Sequence, residues 1–178
     1  MHGRMDVRPR EPEDLGACVR VLAEVHRGDG YPVDWPERPR DWLSPPALLG
    51  SWVAERDGRV AGHVGLCRSG PGDSAPGLWS RRTGLPAEGT ALVSRLFVAP
   101  GARGHGIGAL LMARAVRGAR ELGLHPVLDV VASDTAAAAL YEGLGWSLLA
   151  TAEQRWAPDR LVSVRCYAAP EEAPADGA

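Results

Sequence analysis

The sequence predicts an α/β fold: one central twisted sheet of about seven strands, mixed but mostly antiparallel, flanked by helices. Three observations predict it. β-prone runs and amphipathic helical repeats alternate along most of the chain. A glycine-rich run, Arg103-Gly104-His105-Gly106-Ile107-Gly108, stands between a strand and a helix. The length, 178 residues, is that of one domain able to bury a proper core. That domain is expected to span residues 1–169, and residues 170–178, with Glu171, Glu172 and Pro174, are expected to lack order. There is no internal repeat.

Residues 5–8 read as the first strand. Pro12 then opens an amphipathic helix whose apolar side is Leu15, Val19, Leu22 and Val25. Residues 30–36, Gly-Tyr-Pro-Val-Asp-Trp-Pro, cannot form regular helix, because proline lacks the donor and biases the residue before it toward extended backbone. Short helical turns are expected at 41–43 and 47–49, on either side of Pro45-Pro46. Residues 51–55 and 60–66 read as two strands around Asp57-Gly58, a strong hairpin turn.

Gly, Pro and Ser crowd residues 69–89, which predicts a surface excursion with at most a short helix around Leu78 and Trp79. A strand follows at 92–98 and ends at Ala99-Pro100-Gly101. Beyond the glycine run, Ile107, Leu110, Leu111, Ala115, Gly118 and Leu122 recur at helical spacing. The chain then reads as a strand at 127–131, an alanine-rich helix to Leu144, and two last strands, one at 146–149 with an extension onward left open and one at 161–167.

Composition narrows the function. The net charge is −2 and all 20 Lys and Arg positions are arginine, which gives no electrostatic reason to expect nucleic acid. Cys18, Cys67 and Cys166 are odd in number and lack C-x-x-C spacing, so reduced thiols are expected rather than disulfides or zinc. No run approaches the roughly 20 apolar residues of a membrane span, and the N-terminus leads into no signal-peptide core. A cytoplasmic protein is expected.

The glycine run is suited to pyrophosphate. The first N–H groups of a helix have no intrahelical partner and sit at the positive end of its dipole, and a loop poor in Cβ atoms lets phosphate oxygens reach them. Arg103 can add a charge-assisted bond. A Walker A loop needs Gly-Lys-Ser/Thr, and the chain has no lysine. The dinucleotide pattern G-x-G-x-x-A is met by Gly104, Gly106 and Ala109, with Asp129 as ribose ligand. Against it, four residues separate the strand from the loop, and Val130-Val131 continue past Asp129.

A third pattern, Arg-x-x-Gly-x-Gly, is made by Arg103, Gly106 and Gly108 after a strand ending Leu-Phe-Val-x-Pro. Farther on, the strand residues 128–131, Asp134, and then Leu140-Tyr141-Glu142-Gly143-Leu144-Gly145-Trp146 follow at a fitting distance. Together these resemble the acetyl-CoA loop and the Asn/Asp…Leu-Tyr-Glu-x-x-Gly-aromatic segment of the GNAT N-acetyltransferase superfamily, whose element order matches almost the whole chain.

The resemblance implies a metal-free enzyme that uses acetyl-CoA as co-substrate and acetylates a primary amine by direct attack in a ternary complex. A small-molecule acceptor is expected, and a homodimer is left open. By resemblance, residues 103–108 hold the pyrophosphate: Arg103, Gly104, His105, Gly106, Ile107 and Gly108. Leu96, Phe97 and Val98 lie on a bulged strand whose free N–H groups bind pantetheine and the thioester carbonyl. Tyr141 matches the general acid that protonates the leaving thiolate, and Asp134 either touches the cofactor or caps its helix.

One departure stands out. The family's usual glutamate base falls on Leu92, which cannot move a proton. Ser94, on the same strand face, can anchor a water chain instead. His63 and Glu55 are other candidates with ordinary structural alternatives. Trp35, Trp42 and Trp79 lie in the irregular segments that shape the acceptor pocket in such enzymes, or fill the core. Arg114, Arg117 and Arg120 form a stripe read as a solvated face. A non-catalytic acyl-CoA-binding module and an NAD-binding domain are the alternatives.

Overall fold

The protein, seen in a computed structural model, is described over residues 4–172. Seven strands form one sheet in the order β1-β2-β3-β4-β5-β7-β6: β1 Met5–Pro9, β2 Leu48–Arg56, β3 Arg59–Arg68, β4 Thr90–Val98, β5 His125–Val131, β6 Ser147–Ala157 and β7 Arg160–Ala168. Every neighbouring pair is antiparallel except β4 with β5. The helices are α1 Leu15–Asp29, α2 Pro39–Trp42, α3 Ala75–Thr83, α4 Ile107–Glu121 and α5 Thr135–Gly143.

Side-chain alternation along the strands assigns the faces. Trp52 and Ala54 on β2, with Ala91 and Val93 on β4, pack into the cluster of α4 and α5. Their neighbours point the other way, Val53 into the α1 cluster and Leu92 into the α3 cluster. One face is therefore covered by α4 and α5, the other by α1 and α3. The approach of α4 is close: a Cβ on Gly118 would lie 2.7 Å from Trp52 Cη2, and one on Gly62 would lie 2.9 Å from Leu111 Cδ1. The hairpin between β2 and β3 turns on Asp57 and Gly58, both left-handed with φ 54° and 77°, as a two-residue turn matching strand twist requires.

Two expectations are corrected. Residues 48 and 49 open β2 rather than closing a helical turn, and Leu48 pairs with Cys67; a neighbouring strand supplies partners that local propensity does not register. Residues 69–89 are not only a surface excursion, since α3 runs nine residues and buries Ala75 and Trp79 in a second core. Its start is fixed from a distance: the Asp129 carboxylate accepts from the Ser74 and Ala75 N–H groups, both at 2.8 Å. The extension left open for the penultimate strand is present: β6 runs to Ala157, because β7 pairs with it along nearly its whole length.

Of the tail expected to lack order, residues 170–172 have no regular secondary structure, and the Pro170 carbonyl accepts from Arg120 Nη2 at 2.7 Å. Residues 173–178 lie outside the described residues. No helix among the described residues is long and apolar enough to cross a membrane.

Candidate active site

The cleft is made by two parallel strands that part. β4 and β5 pair only where residues 90–92 face 125–127; beyond that point β4 stays with β3 and β5 with β7. The gap is a cleft of about 1140 Å³ lined by the second half of β4, the end of β5, the glycine loop, α5 and residues 29–34.

A bulge lies on β4 beside this gap. His63 pairs with Phe97 and Gly65 with Ser94, so Val64 alone faces both Arg95 and Leu96. Arg95 takes the left-handed conformation, φ 53°. The extra residue reverses the alternation, and Leu96 and Val98 now point to the α4 side where Ala91 and Val93 did before. Phe97 joins the α1 cluster, stacked on His63 at 5.1 Å between ring centroids.

His63 pins the bulge. Its Nδ1 lies 2.9 Å from the Arg95 carbonyl and its Nε2 3.0 Å from Arg10 Nη1. Arg10 can only donate, so Nε2 accepts and Nδ1–H is the donor to the carbonyl. The ring is fully buried, and desolvation pushes its pKa down to about 4. His63 is thus a neutral positioning group, not a proton carrier near neutral pH. Glu55 is likewise engaged, in an ion pair with Arg8.

The glycine loop starts α4 as the sequence predicts. Gly104 and Gly106 have φ of 84° and 74°, which a Cβ would penalise. The Leu110 N–H is the first to bond back into the helix, to the Gly106 carbonyl at 3.1 Å. Among the described residues no such carbonyl is met by the N–H groups of residues 104–109, so a row of donors is left at the mouth of the cleft. Ile107 is buried, and Gly108 lets α4 meet α5, a Cβ there lying 3.3 Å from Leu140 Cδ2. Arg103 and Gly104 line the cleft, while His105 is exposed and not part of its lining. Arg103 forms an ion pair with Asp29 at the end of α1.

Tyr141 reaches the cleft from α5. Its ring is 7% exposed, packed against Trp146 and Tyr167, and its hydroxyl has no hydrogen-bond partner among the described residues. Burial pushes its pKa well above the ordinary tyrosine value, so the phenol stays protonated and able to donate. Asp134 lines the cleft and also caps α5, its Oδ1 accepting from the Ala137 N–H at 3.1 Å. Ser94 is half-buried on the cleft, 3.7 Å from Cys67 Sγ. Leu92 is buried with Trp79 and Val127.

The three tryptophans separate. Trp42 lines the cleft; Trp35 does not, and tilts against His26 at 5.3 Å; Trp79 is core, stacked on His125 at 5.3 Å. Three lining residues had no sequence signal. Tyr31, with its pKa raised to about 12 by burial, sits in the proline-rich segment, Trp156 lies near the end of β6, and Arg95 lies at the bulge. Asp129 is occupied by α3 and by Gln154, and a turn at Pro100–Ala102 separates β4 from the loop. Neither detail suits a dinucleotide site. Among the described residues no group of His, Cys, Asp and Glu side chains gathers to hold a metal.

The sheet, its parted strands and the glycine loop define an acetyltransferase. The model of the Acetyltransferase (GNAT) family matches residues 17–146, and the chain belongs to that family. No curated protein matches it by sequence. Among solved structures it is similar to the ribosomal-protein-S18-alanine N-acetyltransferase of Escherichia coli, at 17% identity and TM-score 0.67 over 98% of this chain and 99% of that one. It is similar also to yncA of Salmonella typhimurium with its cofactor acetyl-CoA, at 21% identity and TM-score 0.65 over 98% and 99%. NAA60 of Arabidopsis thaliana in complex with acetyl-CoA matches at 20% identity and TM-score 0.67 over 93% and 98%. At these identities the likeness is one of fold.

Proposed function

We propose that this enzyme transfers the acetyl group of acetyl-CoA to the primary amine of a small-molecule acceptor, by direct attack in a ternary complex. The observation that carries the reading is the parting of β4 from β5 beside the Arg95 bulge, with the unpartnered N–H groups of the α4 start at the same opening. A ligand with a long, thin arm running from a pyrophosphate to a thioester suits that shape. Acetyl-CoA supplies the activated thioester.

The backbone around Leu96, Phe97 and Val98 donates to the thioester carbonyl and stabilises the oxyanion that develops there, worth about 3 kcal/mol per well-placed donor. Arg103, with the N–H groups of residues 104–108, holds the pyrophosphate. Only the neutral amine attacks, and an alkylammonium has a pKa of about 10, so a proton must leave first. With Leu92 buried and aprotic, that proton passes to water anchored at Ser94. Tyr141 protonates the departing thiolate, a task that its uncommitted hydroxyl and raised pKa favour.

Thiol release from acetyl-CoA across a panel of primary amines tests this. Turnover is expected with at least one amine, and Tyr141→Phe should lower kcat by about 100-fold or more while acetyl-CoA still binds. The buried Leu92 favours one other reading, an acyl-CoA-binding module without catalysis. Tight binding of acetyl-CoA with no thiol release across the panel would select it.

A further inference from the structure

Along the cleft the lining charges are accounted for one by one. Asp34 forms a two-pronged bond with Arg160 Nη1 at 2.9 and 3.0 Å. Asp129 accepts from the start of α3 and from Gln154. Asp29 holds Arg103, and Asp134 caps α5. Arg95 differs. It has no carboxylate within ion-pairing distance among the described residues, and its sole hydrogen bond there is Nε to the Trp42 carbonyl at 3.1 Å. Its guanidinium carbon sits 4.5 Å from the centre of the Trp42 ring, and among the described residues both Nη groups are left without a partner.

This guanidinium is built into place. The side chain leaves the backbone at the left-handed bulge residue, φ 53°, its carbonyl is tied to His63, and its plane rests on an indole whose own backbone it grips. A guanidinium pre-ordered in this way, half-buried and lacking an anion, presents a fork suited to a carboxylate or similar oxyanion. It also repels a second cation. The bulge puts it on the strand that carries the proposed thioester-binding edge, beside Ser94.

We propose that Arg95 is a specificity-determining residue that binds an oxyanion on the acceptor. The acceptor class is then a small primary amine that also bears a carboxylate or phosphonate, as amino acids do, and not a polyamine. This rests on the acetyltransferase reading above.

The test pairs amines that differ only in that group: L-leucine with leucinamide, β-alanine with propylamine, and 3-aminopropylphosphonate with propylamine, with spermidine as the polycation. Thiol release is followed at saturating acetyl-CoA. In the wild type at least one anionic amine should exceed its neutral partner in kcat/KM by roughly 10- to 100-fold, and the leucine and phosphonate arms say which oxyanion is meant. Arg95→Gln should abolish that ratio and leave the KM for acetyl-CoA unchanged, and Arg95→Lys should retain part of it. A preference for spermidine or a neutral amine, or a ratio that survives Arg95→Gln, overturns the proposal.

If nothing is turned over, equilibrium dialysis of the same amines against the CoA-loaded protein must show the same anion preference, and its absence overturns the proposal as well. The wild-type ratio needs no variant to fold. Thiol release with any amine of the panel, whatever the ratio between partners, judges the acetyltransferase reading separately.

Discussion

His63 shows how one buried side chain decides the geometry of the cleft. It is fully buried between Arg10 and the Arg95 carbonyl, and it holds in place the residue that makes the bulge. Its pKa is lowered to about 4 from 6.5, first by desolvation. The unfolded chain therefore binds a proton between pH 6.5 and 4 that the folded protein refuses, and stability falls as pH drops through that window. The full effect is about 3 kcal/mol. Urea unfolding at pH 7.0 and 4.5 should show this loss, and His63→Gln should be less stable at pH 7 but lose most of the difference between the two pH values. A slope unchanged in the variant would mean that His63 is not the titrating group. The motif around Tyr141 marked a residue that lines the cleft, whereas the histidine's position was not legible in the sequence, because its partners come from the end of β1 and the bulge on β4.

Helix α4 is positioned by what it lacks. At Gly118 a Cβ would meet Trp52 Cη2 at 2.7 Å and Cζ2 at 2.9 Å, and Arg114, one turn earlier on α4, lies over the indole at 4.9 Å. Gly118→Ala should thus overpack the contact and cost about 1–3 kcal/mol. Gly28, in the last turn of α1, has open space where a Cβ would stand, with no atom within 4 Å, and no left-handed φ. Gly28→Ala should stabilise by about 0.4–1 kcal/mol through the unfolded chain. Chemical denaturation of both variants checks the opposite signs, and a neutral Gly118→Ala would mean that the indole can move.

The same contrast explains what the sequence makes legible among the elements. Strands β3 and β4, helix α4 and the turn at Asp57-Gly58 follow from local pattern. By contrast α3 depends on a carboxylate 55 residues away, and the extension of β6 depends on β7. No window of local sequence contains those partners.

For the molecule as a whole, two carboxylates that line the cleft, one at the end of α1 and one in the segment after it, are held in ion pairs. Asp29 holds Arg103 of the glycine loop, and Asp34 holds Arg160 at the start of β7. The glycine-loop part of the cleft was readable because backbone and glycine leave a pattern. Tyr31, Trp42, Arg95 and Trp156 line the same cleft from four separate stretches, and their meeting is visible only in the fold.

On the proposed reading, in which Arg103 holds the pyrophosphate, binding asks Arg103 to exchange Asp29 for phosphate oxygens. Both partners of the existing pair are 45% exposed, so breaking it costs little. Asp29→Asn should therefore strengthen acetyl-CoA binding only about two- to fivefold. Arg103→Gln should weaken it about tenfold or more and flatten its dependence on salt, because one charge-assisted contact is gone. Calorimetric titration with acetyl-CoA at about 50 and 300 mM NaCl, roughly a 2.5-fold change in screening length, measures both. If Asp29→Asn instead weakened binding to the same degree as Arg103→Gln, the carboxylate would be orienting the arginine toward its ligand and not competing for it.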